Sequence, residues 1–226
     1  MEKEKIIIKL EKSMIKTMIY TLIFLILIEI IAYFGFFRNI PNFFSKYGFY
    51  IIFLIILLLV NSIALWHIKA YKNIFSCMSG MMIGMTIGMT SGFSIGLIVG
   101  ATNGFFVGSI AGLIIGMIVG GYAGNCCGII GVMEGVMAGL MGGLMGAMTS
   151  VMALNDNIKI FIPVLVVSII SIIICLIYMI YEQEVKEREK IDYGGFNFLP
   201  FITVIFVIAI GLTFLMVYGS RSFLFN

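Results

Sequence analysis

The stretch of sequence from residue 80 to residue 128 reads GMMIGMTIGMTSGFSIGLIVGATNGFFVGSIAGLIIGMIVGGYAGNCCG, with glycine at every fourth position. The same period returns further on, at Gly131, Gly135, Gly139 and Gly143. In water, each glycine disfavours a helix by about 1 kcal/mol relative to alanine. In a lipid bilayer the backbone has to satisfy its own hydrogen bonds, so the helix is enforced and the glycines become positions of close packing.

A row of glycines four residues apart lies on one face of a helix and forms a groove that accepts a neighbouring backbone. Because four residues exceed one turn of 3.6, the row drifts by about 40° per step and contacts more than one neighbour. We therefore predict a glycine-zipper core of three tightly packed helices. The predicted helix-packing residues are Gly84, Gly88, Gly92, Gly108, Gly112, Gly116, Gly135, Gly139 and Gly143.

The composition of the whole chain indicates that this core lies in a membrane. Of the 226 residues, 62% are hydrophobic and only 11% are charged, and the mean hydropathy is +1.16. A soluble domain is typically about a quarter charged, so a soluble fold is excluded. The net charge of +3 is too small to indicate nucleic-acid binding, since the charges lie between apolar runs.

Apolar runs of about 20 residues predict an all-α, polytopic membrane helix bundle with about seven transmembrane helices. Turns are expected at 102–104 and 125–128, where polar residues interrupt the glycine-rich region. The middle three spans are expected to form the central layer, with the other four outside them facing lipid. The predicted spans are 18–37, 49–66, 76–101, 104–125, 128–153, 160–181 and 197–218.

The predicted organisation has four segments. These are a cytoplasmic amphipathic segment (1–17), two transmembrane helices (18–75), the Gly/Met-rich three-helix core (76–153), and two transmembrane helices with a charged cytoplasmic connection (154–226). The first apolar run exceeds the 7–15-residue core of a cleaved signal peptide, so a retained helix is expected. With the N-terminus inside, 10 of the 14 Lys and Arg residues lie on the cytoplasmic side. This distribution favours a cytoplasmic N-terminus. The expected location is the bacterial inner membrane.

Methionine is concentrated in the same region, since 12 of 17 methionines lie between Met78 and Met152. Four of them keep a helical spacing along the fifth span: Met133, Met137, Met141 and Met145. Methionine is a flexible filler for irregular gaps beside glycine grooves. Thioethers in a row are also soft ligands that hold Cu(I) weakly enough for an ion to pass along them. The sequence leaves both interpretations open.

The cysteines and one carboxylate extend the interpretation that this region binds a soft metal ion. Cys126 and Cys127 lie in the turn before the fifth span, where two thiolates can take a soft metal ion. With Cys77 and Cys175 they fall on the predicted cytoplasmic side, so free thiols are expected there. Glu134 lies about 10 Å inside the membrane, where a carboxyl group has to be protonated, paired or bound to a cation. The predicted metal site comprises Cys126, Cys127, Met133, Glu134, Met137, Met141 and Met145.

Two local resemblances accompany these motifs. The MxxxM methionines beside GxxxG glycines resemble the membrane helices of the copper-permeating transporter family, which implies passage of Cu(I) through an oligomeric pore. The pair Cys126 and Cys127 in a glycine-rich setting is similar to bacterial mercuric-ion transporters, which implies soft-metal binding by thiolates. The stretch 78–152 also resembles uncharacterised Gly/Met-rich multi-pass bacterial membrane proteins.

The functional hypotheses follow from these patterns. No Walker loop or HExxH motif occurs and there is one histidine, so an enzyme is not expected. The leading hypothesis is a permease or resistance factor for a soft metal ion, namely copper, silver or mercury, with Cu(I) the first candidate. The alternative is a glycine-zipper channel or structural membrane assembly protein without metal chemistry. The expected partners are the lipid bilayer and further copies of the chain, and no nucleic acid.

Overall fold

The computed structural model describes residues 43–70, 76–154, 157–180 and 198–219, together with Glu182 and seven single positions between Ile19 and Ile30. These ranges are helical and contain no strand, which confirms the predicted all-α class. We number the α-helices in chain order as α1 (Phe43–Ala70), α2 (Cys77–Asn103), α3 (Phe105–Gly124), α4 (Gly128–Ala153), α5 (Ile158–Ile180) and α6 (Phe198–Tyr218).

Four helical stretches are long and apolar enough to cross a membrane: Tyr47–Ile68, Cys77–Asn103, Phe105–Ala153 and Ile158–Ile180. Thr203–Tyr218 is a shorter apolar helix. A chain with several such helices and so few charges is a multi-pass integral membrane protein.

The number of helices differs from the prediction of about seven. A 3-10 turn at Asn125–Cys127 joins α3 to α4, so the two form one helical stretch of 49 residues. By that count the described ranges contain five continuous helical stretches rather than about seven. A straight helix of this length would measure about 74 Å, more than twice the thickness of a bilayer core; instead the chain folds back at the turn. The predicted segment 1–17 and first span 18–37 lie outside the described residues, apart from the single positions.

Two glycines of the every-fourth-residue series form turns. Gly104 separates α2 from α3 with a φ of 89°, and Gly128 begins α4 with a φ of 71°. This left-handed region is accessible to glycine at no steric cost. The turns predicted at 102–104 and 125–128 are therefore confirmed.

The remaining helices pack around α2. Helix α1 contacts α2, α5 and α6, and the Thr90 hydroxyl of α2 donates to Asn61 Oδ1 of α1 at 3.4 Å. At the C-terminal end of α2, Asn103 Nδ2 donates to the Leu215 carbonyl oxygen of α6 at 3.1 Å. In its most apolar part α2 has 72% of its residues buried, against 33% for the α3–α4 stretch. Helix α2 is therefore central, whereas α3 and α4 each keep an exposed face.

Candidate functional site

The contact between α2, α3 and α4 is built from layers of three small residues, one from each helix, and in four of the five layers all three are glycines. We call these the glycine layers. In order along the bundle they are Gly84/Gly124/Gly131, Gly88/Gly120/Gly135, Gly92/Gly116/Gly139 and Gly96/Gly112/Gly143, followed by Gly100/Gly108/Ala147.

The order of residues within the layers gives the direction of each helix. From one layer to the next, residue numbers rise in α2 and α4 and fall in α3. Helices α2 and α4 are therefore parallel, and α3 is antiparallel to both. Successive layers are four residues apart, or about 6 Å along a helix, so five layers extend over about 24 Å.

The helices approach so closely that side chains have no room. A Cβ built on Gly88 would lie 2.5 Å from the carbonyl oxygen of Gly135, and one on Gly84 would lie 2.8 Å from Gly124 Cα. Real Cβ atoms essentially never come within 3.0 Å of such neighbours. The contact is therefore backbone against backbone, as in small-residue helix interfaces in membranes. All nine glycines predicted to pack helices lie in these layers.

Two packing glycines lie outside the repeat. Cβ atoms on Gly142 and Gly146 of α4 would collide with the backbones of Met89 and Phe93 of α2. Gly142 directly precedes a glycine of the main row, and Gly142 and Gly146 are themselves four residues apart. This second, shorter row was the available signal, and it marks the edge of α4 that adjoins α2.

The predicted methionine ladder does not enter the glycine layers. Its residues stand two positions from the glycines of α4, which is about 200° around the helix. They are exposed, and Met137 for example has an exposed fraction of 62%. We call this surface the methionine face of α4; it comprises Met133, Glu134, Met137, Met141, Met145, Met148 and Met152, all exposed.

A parallel group of exposed methionines lies on α2: Met78, Met82, Met85 and Met89. The backbone of Met89 lies against Gly142, which directly follows Met141 in α4. The methionines of the two parallel helices therefore lie on either side of one helix contact, at the outer surface of the chain. Within a single chain they line no internal path, because the interior between the helices is filled by backbone.

The cysteines meet in a different combination from the predicted one. Cys77 and Cys127 form a disulfide with their Cα atoms 5.0 Å apart, which corrects the expectation of free thiols. The reason is that parallel helices α2 and α4 begin at the same end of the bundle. The Cys126 thiol instead donates to the Ala123 carbonyl oxygen at 3.4 Å, and Cys175 is exposed on α5.

The predicted metal ligands are thus divided between two places. The cysteines lie at the end of the bundle where α2 and α4 begin, and the methionines with Glu134 lie on the outer face of α4. Among the residues that the structure describes, no group of three or more His, Cys, Asp or Glu is arranged to hold a metal ion. Binding of a soft metal by these residues stays a prediction.

A cavity of about 340 Å³ lies between α3 and α6. It is lined by Phe106, Ile110 and Ile114 on one side and by Ile208, Gly211 and Leu215 on the other, among other apolar residues. Its lining has no group suited to recognising a polar ligand. In a bilayer, such an open apolar groove is suited to acyl chains.

Comparison with known proteins identifies no relative. No family model matches the chain, and no curated protein or solved structure matches it.

Proposed function

We propose that the protein is a non-catalytic glycine-zipper assembly protein of the bacterial inner membrane, with its N-terminus in the cytoplasm. The three-helix glycine core is a rigid unit, and the chain associates with further protein in the membrane through an exposed face. The observation that carries this proposal is the series of glycine layers, and in the four that consist of glycine alone the backbones of three helices touch with no side chain between them. Such contacts fix the positions of the helices more narrowly than flexible side chains do.

The core also favours a structural role over transport of an ion through a single chain. An ion path between α2, α3 and α4 would require space, and each glycine layer is closed by contacting backbone. A channel built from this protein would have to form between chains, with faces such as that of α4 lining it.

Assembly is tested by enlarging the core. Replacing Gly135 and Gly139 by leucine is expected to abolish a defined subunit number, because both residues contact the backbone of α3. The matched control is Gly211→Leu in α6, where nothing lies within 4 Å of an added Cβ. Subunits are counted by single-molecule photobleaching in liposomes, and helix content by circular dichroism. An unchanged subunit number in Gly135→Leu and Gly139→Leu would contradict the proposal.

A second candidate function is that of the soft-metal permease or resistance factor. The observation in its favour is that Cys77, the first residue of α2, is joined to Cys127, the residue directly before α4. When reduced, two thiolates at this spacing are suited to a soft ion with low coordination number, such as Cu(I) or Hg(II). Cys126, adjacent in sequence, would be an additional thiolate, and the methionines of α4 would be a route only in an oligomer.

The metal hypothesis predicts a loss of tolerance when the thiols are removed. Cells carrying Cys77→Ser together with Cys127→Ser are expected to become sensitive to copper, silver or mercury, and the purified protein is expected to lose bound metal in elemental mass spectrometry. Cys175→Ser is the control, because Cys175 is exposed on α5 and not part of the disulfide. The hypothesis fails if the double variant, further combined with Cys126→Ser, Met137→Leu and Met141→Leu, keeps normal tolerance.

A further inference from the structure

The methionine face of α4 contains the one charged side chain between Ser76 and Leu154, Glu134. Glu134 is exposed, and no described residue forms a hydrogen bond or ion pair with it. It stands six residues after Gly128, or about 9 Å from the start of α4. A carboxyl group at this depth is costly when it faces acyl chains.

The exposed faces of the neighbouring helices have different chemistry. Helix α3 exposes Ile110, Ile114 and Ile118, and α5 exposes Val164 and Val167. These branched aliphatic side chains suit contact with lipid, and the exposed tyrosines on the same helices, Tyr122 and Tyr178, have a hydroxyl group and no charge. The methionine face differs in two respects, since it carries six flexible methionines, with Ile130, Leu140 and Leu144 exposed among them, and it includes a carboxyl group. Methionine is common in surfaces that adapt to a protein partner.

We propose that the methionine face of α4 is the contact with a second copy of this chain, and that the Glu134 carboxyl groups of the two copies hydrogen-bond to each other. This inference rests on the proposed assembly function and names its contact surface. Copies inserted into one membrane share an orientation, so a twofold axis between them lies along the membrane normal.

The carboxyl group favours a second copy as the occupant, because it can pair with an identical group. About such an axis the two α4 helices run side by side, and each residue meets its counterpart at its own depth. A protonated carboxyl group has both a donor and an acceptor, so two identical groups satisfy each other without any counter-charge. A row of methionines then faces an identical row, where unbranched side chains can interdigitate.

The interface is tested by cross-linking at matched depth. In a background with Cys77, Cys126, Cys127 and Cys175 replaced by serine, Met141→Cys is compared with Ile114→Cys. Met141 and Ile114 lie between the same two glycine layers, one on α4 and one on the exposed face of α3. Oxidation in native membranes is expected to give a covalent dimer for Met141→Cys and only background for Ile114→Cys. Equal yields, or no dimer from Met141→Cys, would overturn the interface.

The role of Glu134 is tested with the native cysteines present. Dimerisation in liposomes is followed by energy transfer between labelled chains as lipid is added. Glu134→Leu is expected to weaken the dimer about 3- to 30-fold, the range for hydrogen bonds between membrane helices. Glu134→Gln keeps a donor and an acceptor and is expected to retain the native affinity. An unchanged or tighter dimer in Glu134→Leu would overturn the carboxyl contact.

The two experiments separate this inference from the function on which it rests. A protein that stays oligomeric while Met141→Cys fails to cross-link overturns the α4 interface and leaves the assembly function standing. A protein that is monomeric at every lipid dilution overturns both.

Discussion

Replacing Gly116 by alanine is expected to destabilise the protein by about 3 kcal/mol, the upper end of the usual cost of overpacking. A methyl group on Gly116 would lie 2.7 Å from the carbonyl oxygen of Gly139 and 2.7 Å from Gly92 Cα. Both obstacles are backbone atoms of rigid helices, so no side-chain rotation relieves the overlap. Either α2 or α4 has to move away from α3, and the contacts in the adjoining layers are then lost as well.

The measurement is thermal unfolding of the purified protein in detergent, with Gly211→Ala as the control. For a chain of this size about 3 kcal/mol corresponds to a fall in Tm of roughly 6 to 12 °C. At Gly211 nothing lies within 4 Å of the new methyl group, and alanine is the better helix former, so the Tm is expected to stay the same or rise. Equal effects of the two substitutions would contradict the packing described for the glycine layers.

Thiol counting is expected to separate the cysteines into two classes. Protein purified in air should react with two equivalents of a maleimide per chain, at Cys126 and Cys175, because Cys77 and Cys127 are joined. After reduction all four cysteines of the chain should react. In Cys77→Ser, three thiols should react without reduction, since Cys127 has then lost its partner. Four reactive thiols in the unreduced native protein would contradict the disulfide.

The same measurement in living cells reports the orientation of the chain. The distribution of Lys and Arg predicts that α2 and α4 begin on the cytoplasmic side, where thiols are kept reduced. With that orientation the disulfide forms only after lysis, and rapid alkylation in cells is expected to modify Cys77 and Cys127. If they are found joined before lysis, this end of the bundle faces an oxidising compartment, and the predicted orientation of the N-terminus is reversed.

The three-helix core was the part that sequence could predict best, because its signal is local. The glycine period depends on backbone packing alone, and it predicts the turns at Gly104 and Gly128 and the positions where backbones come together. The bounds of α2 to α6 lie within two residues of the predicted spans, whereas α1 begins six residues before the predicted 49–66. Helix α1 has no glycine row, and its extra turns are less apolar, which a hydropathy window does not detect.

The cysteine pairing and the position of the methionines were harder for different reasons. Whether Cys127 meets Cys126 or Cys77 depends on which helix ends share one end of the bundle, and that is a property of the tertiary fold. The exposure of Met137 and Met141 had a local signal, because an offset of two residues from a glycine row places a side chain on the opposite face of the helix. The soft-metal hypothesis considered the spacing of the methionines without that offset.

The glycine layers also constrain how the protein can recover from mutation. In an ordinary core, an oversized side chain can be accommodated by a smaller residue opposite it. Here the residue opposite is already a glycine in nearly every layer, so it cannot be replaced by a smaller residue. A genetic screen for suppressors of a core lesion should therefore find compensating changes in α1, α5 or the turns, where helices can be displaced, and none in the layers themselves.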